Sequence, residues 1–171
     1  MPSKEDIDRQ IEDLLQTAGI RPDTSEEVQR EEYQLWMKAS RILNSDQADS
    51  KAQEALSMLE TALSRLKPSD ERLRAQCLSA AAVAASYLGQ IEKTVEYGKR
   101  ALQILDRTGP PIFAAMTRDH LARVLEQAGR DDEAKRLRQE AHTDMDTADA
   151  ALRNWDERYG RRTRKWWQFW K

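Results

Sequence analysis

Helix-ending signals in this chain return at a fixed interval, and that constrains its fold more than any other feature. Gly89 and Gly129 stand 40 residues apart, each a glycine that stops one helical pattern just before another begins. Small residues recur in step. Ala55, Thr94 and Ala134 form one set and Ala62, Ala101 and Ala141 a second, with spacings of 39 and 40. Between these marks the apolar positions fall 3 or 4 apart, the period of a helix with one buried face.

The punctuation sets out seven helices. Ser3 caps a first helix with Ile7, Ile11, Leu14 and Leu15 on one face, closed by Gly19 and Pro22. Thr24 to Glu27 has capping-box spacing and opens a second helix through Leu43. Ser50 with Gln53 opens a third, which Lys67-Pro68 stops; Ser69 starts a fourth, ending at Gly89. A fifth covers 91–105, a sixth runs from Pro111 to Gly129, and a seventh starts at Asp131 or Asp132. Turns this short make sequence neighbours antiparallel. The expected fold class is all-α: antiparallel helical hairpins in a short α-solenoid with a long C-terminal helix. The expected organisation is an N-terminal helix at 1–24, a repeat domain at 25–159 and a basic tail at 160–171.

The segment Gly89-Gln90-Ile91-Glu92-Lys93-Thr94-Val95-Glu96-Tyr97-Gly98-Lys99-Arg100-Ala101-Leu102 resembles the turn and second helix of a tetratricopeptide repeat. It returns as Gly129 to Leu137 with Ala141, and earlier, without the glycine, as Glu54-Ala55-Leu56, Leu59, Ala62, Leu63 and Pro68. The first-helix signature of that family is degenerate here: Trp36, Ala39, Ser40 and Leu43, then Leu78, Ala81, Ala82 and Ala85, then Leu121, Ala122 and Leu125. Two departures stand out: a period above the family's usual 34 or so, and Gly98 where a bulky aromatic is usual. A non-repeat helical bundle is the alternative fold.

The resemblance implies a protein-binding scaffold whose first helices line a groove for another protein or peptide. Carried over by position, the groove residues are Met37 and Arg41, then Gln76, Ser79, Val83 and Tyr87, then Met116, Asp119, His120, Arg123 and Gln127. Family members that grip a C-terminal carboxylate use Lys, Asn and Arg at such positions. Of these residues Arg41 and Arg123 alone are candidates, so that specificity is not carried over. Asp119 and His120 read more simply as exposed polar positions on a helix.

Signs of catalysis are sparse. His120 and His142 lie on different expected helices, with no His-Glu-x-x-His, no phosphate loop and no Gly-x-Ser-x-Gly. The single cysteine, Cys77, offers neither a disulfide nor a metal pair and reads as a core residue. The expectation is therefore a non-enzyme without cofactor, metal ligands or catalytic residues. The N-terminus shows no signal peptide, and no run of about 18 apolar residues spans a bilayer, which gives a cytoplasmic expectation.

The chain's C-terminal part carries two further features. From Ala134 an apolar stripe continues through Leu137, Ala141, Met145, Ala148, Leu152, Trp155 and Tyr159. It reads either as a cap over the end of the solenoid or as a projecting helix that pairs with a partner or a second copy. Residues 161–171 then hold five bases and no acid, against a balance of −7 for residues 1–160. Arg161, Arg162, Arg164 and Lys165 precede Trp166, Trp167, Phe169 and Trp170, a pattern similar in composition to short cationic Trp-rich membrane-active peptides. Three readings follow: an anchor at an anionic membrane surface, a docking peptide for a partner's pockets, or a segment that folds back on the protein or a neighbouring subunit. A peripheral membrane adaptor is thus the alternative function, and the acidic body argues against nucleic acid as partner.

Overall fold

The computed structural model describes residues 25–159 and Asp13. The expected N-terminal helix at 1–24 and the tail at 160–171 lie outside the described residues. Seven helices follow in order: α1 (Ser25–Gln29), α2 (Glu31–Leu43), α3 (Ala48–Arg65), α4 (Glu71–Tyr87), α5 (Ile91–Thr108), α6 (Pro111–Gln127) and α7 (Asp131–Tyr159). The chain is an all-α, repeat-like array of helices packed on their neighbours.

Glycine sets two of the hairpin turns. Gly89 and Gly129 take φ of 67° and 72°, the left-handed region that other residues avoid. In each, the glycine N–H donates to the third residue before it (Ser86 or Glu126), and the next N–H donates five back (Gln90 to Ala85, Arg130 to Leu125). That paired bonding satisfies carbonyls the helix end would leave open, and it reverses the chain within a few residues. The α2–α3 turn lacks the glycine and is longer. There Asn44 and Ser45 side chains bond the Ser40 and Ile42 carbonyls instead.

The helices pair as α2 with α3, α4 with α5 and α6 with α7, and α3–α4 and α5–α6 contacts join the hairpins. First helices also touch first helices, α2 to α4 and α4 to α6, so they form one row. Second helices reach one another through long side chains, as where Tyr97 Oη donates to Glu60 at 2.7 Å. The small recurring residues lie at the helix crossings: Ala55, Thr94, Ala134, Ala62 and Ala101 are each 0% exposed and Ala141 is buried. Cys77 is a core residue, and burial pushes its thiol up to about 12. The apolar interior is a succession of cores. One lies among α2, α3 and α4, the next among α4, α5 and α6, the last around Val95, Ala122, Leu125 and Ala134.

Several boundaries differ from expectation. The helix expected to run unbroken to Leu43 breaks at Arg30, which is extended (φ −66°, ψ 140°). Its guanidinium reaches α4's N-terminus, donating to Asp70 Oδ1 at 2.9 Å and Oδ2 at 2.8 Å. That fork–fork pair holds the Asp70 carboxyl down at about 2; the helix still opens at Ser25 beside the expected capping box, and only its continuity past Arg30 is lost. α3 starts at Ala48, two residues before the expected Ser50 cap; Ser50 Oγ donates to the Gln47 carbonyl. α4 starts at Glu71, two residues after Ser69, with Asp70 Oδ2 accepting the Lys67 N–H. α5 continues three residues past Leu105 to Thr108, and the expected stop at Gly109-Pro110 ends it.

Candidate functional site

The row of first helices bounds a groove of about 650 Å³ between α4 and α6, closed at one side by Leu43 and Asn44. Spacing along α4 brings Ser79, Val83, Ser86 and Tyr87 to one face, and α6 answers with Met116, His120, Arg123 and Gln127. Seven of the eleven positions expected from the repeat register therefore share one groove: Ser79, Val83, Tyr87, Met116, His120, Arg123 and Gln127. The other four do not line it. Met37 is half-buried and Arg41 exposed, both on α2. Gln76 faces two other cavities nearer the α4 N-terminus. Asp119 turns toward Arg123, its Oδ2 3.2 Å from Nε, and is not among the lining residues.

The groove is mixed, more apolar than polar in its surface. Tyr87 at 44% and Met116 at 48% are exposed large hydrophobics on it, one from α4 and one from α6. Ser79 Oγ and Thr117 Oγ1 are 3.2 Å apart, which sets Met116 level with the middle of α4 and Tyr87 about 13 Å further along the groove; Thr117 donates onward to the Phe113 carbonyl at 2.8 Å. His120 is not the exposed polar residue that its place beside Asp119 suggested. Burial pulls its imidazole below the ordinary histidine range and Arg123 adds to that, against the Ala82 backbone and Asp119. Its Nε2 is buried without a hydrogen-bond partner. Among the described residues no group of three or more His, Cys, Asp or Glu side chains gathers as a metal site.

At the open end of the hairpins lies a second, mostly apolar cavity of about 330 Å³. It is framed by Ala75 and Gln76 of α4, Ile104, Leu105 and Thr108 of α5, and Phe113 of α6. Gly109 shapes this corner, since a Cβ there would stand 2.8 Å from Leu105 Cα and 2.9 Å from its carbonyl oxygen.

A second polar feature, which periodicity gave no hint of, joins the last three helices. Arg118 of α6 is 9% exposed. Its guanidinium donates to both Asp106 oxygens at 2.8 Å, to Glu140 Oε2 at 3.1 Å and to Asp144 Oδ2 at 2.6 Å. Burial opposes the charge, but the hydrogen bonds from Glu140 and Asp106 outweigh it and raise the Arg118 pKa. The knot joins the end of α5, the middle of α6 and the middle of α7.

The tail residues Arg161, Arg162, Arg164, Lys165, Trp166, Trp167, Phe169 and Trp170 lie outside the described residues. Among the described residues no helix is long and apolar enough to cross a membrane. Compared with known proteins, the chain matches no family model, no characterised protein and no solved structure.

Proposed function

We propose that the chain is a protein-interaction scaffold of the tetratricopeptide type, and that the α4–α6 groove receives a segment of another protein. The observation that carries this reading is that Tyr87 and Met116 both stand open on this groove. A monomer's large apolar side chains are mostly covered, and two left open on the same groove supply the apolar anchor site that peptide recognition uses. Tyr adds a hydroxyl at the rim, Met a side chain that adapts to different shapes. Arg123 and Gln127 offer hydrogen-bond donors at the groove's end.

A displayed library of random peptides tests it. Sequences are selected on the intact protein and counter-selected on a Tyr87→Ser, Met116→Ser variant whose circular dichroism matches the parent. Enriched peptides are expected to share a large apolar residue and to bind the variant at least about tenfold more weakly, a loss of about 1.4 kcal/mol. Selection of no peptide, or of peptides that bind parent and variant equally, overturns the groove as the binding surface.

A further inference from the structure

The cavity at the open end of the hairpins and the end at which α7 finishes fit one occupant in particular. α7 runs antiparallel to α6 and has passed level with Arg118 by Asp144. Counting back from Arg118 to Pro111 along α6 places Tyr159 about 12 Å beyond the start of that helix. The chain therefore leaves α7 at the same end of the array as the cavity. Trp166 follows Tyr159 by seven residues and Trp170 by eleven, extended reaches of about 23 and 36 Å. Both exceed the return to the cavity across α6, whose axis lies about 8–10 Å from that of α7.

Chemistry agrees with reach. The cavity wall is mostly apolar and includes the Phe113 ring beside Glu71 and Arg72, and its volume of about 330 Å³ accommodates an indole. An indole N–H needs one acceptor, and Gln76 and Thr108 line the same space. Asp106, Glu140 and Asp144 do not line it; they share Arg118, with Asp106 and Glu140 46% and 43% exposed. Across residues 25–159 there are 24 acids against 20 bases, whereas residues 161–171 hold five bases and no acid. We propose that the Trp166–Trp170 segment docks back into the cavity framed by α4, α5 and Phe113. This surface is distinct from the α4–α6 groove, so a partner in the groove and the docked tail do not compete.

Disulfide trapping in the full chain tests this. One variant pairs Thr108→Cys, on the cavity wall, with Gln168→Cys; a control pairs Gln168→Cys with Lys51→Cys on exposed α3. Both must match the parent's circular dichroism. Under mild oxidation of dilute protein, the 108–168 bridge is expected within single chains, at least about tenfold faster than the 51–168 bridge. Equal rates overturn the proposal. Bridges found only between chains replace it with docking on a second copy. Loss of the 108–168 bridge on adding vesicles of mixed phosphatidylserine and phosphatidylcholine, with a blue shift of tryptophan emission, overturns it in favour of a membrane anchor.

Discussion

Gly98 shows how much one missing side chain decides. It is buried in α5 against α6, and a Cβ placed on it would lie 2.5 Å from Leu121 Cδ2 and 2.8 Å from Cγ. Leu121 is itself 1% exposed, and to make room it would have to shift toward the cavity it borders with Val95 and Leu125. Gly98→Ala should gain up to about 1 kcal/mol of helix propensity, but forcing two helices apart costs about 1–3 kcal/mol. Overpacking wins, and the variant is expected to melt several degrees below the parent. A higher melting temperature in a thermal scan would show that Leu121 has room to move. From the sequence Gly98 was visible as a departure from the repeat pattern, yet its reason was not, because Leu121 lies on the next helix. Gly89 and Gly129 were legible in full, since a helix stop is written in the adjacent residues. His120 was misread for the same reason as Gly98: what covers it comes from elsewhere in the fold.

At the scale of the element, α7 divides into a part that is packed and a part that is long. Its stripe was plain in the sequence, and the structure buries it at Ala134 and Ala141, with Leu137, Met145 and Ala148 half-covered. What fixes its angle was not plain. Arg118 and its partners are 12, 22 and 26 residues apart, beyond any local pattern. Arg118→Leu leaves Asp106, Glu140 and Asp144 facing one another uncompensated, and a loss of about 3 kcal/mol at pH 7 is expected. Burial raises the Asp144 carboxyl and Arg118 works against that, so losing the guanidinium moves it further above its unfolded value. Stability from that group is greater once it is protonated and is lost as pH rises, so the variant's deficit should shrink toward pH 4. Chemical denaturation of parent and variant at both pH values checks this, and a deficit that grows on acidification would show that the knot does not hold α7.

Across the whole molecule the interior is a row of cores, each made by one hairpin with the next. They meet at residues they share: Leu63 and Tyr97 between the first and second, Leu137 between the second and third. A chain ending at Gly160 keeps every described helix and should therefore retain helical circular dichroism and one cooperative melt; loss of either would make the tail part of the fold itself. The array was legible because turns and helix faces repeat locally. The α4–α6 groove was legible in part, through seven positions of the repeat register, while the cavity at the open end was not, since three helices bound it. The row of first helices touches directly, α2 to α4 and α4 to α6, while the backbones of the second helices stand apart. Such an arrangement has a stiff side and a compliant side, as a hinge-backed strip does. Bending opens it like a fan about the first-helix row, so the strain falls on long bridges such as Tyr97 to Glu60, while the spacing of Tyr87 and Met116 stays nearly constant.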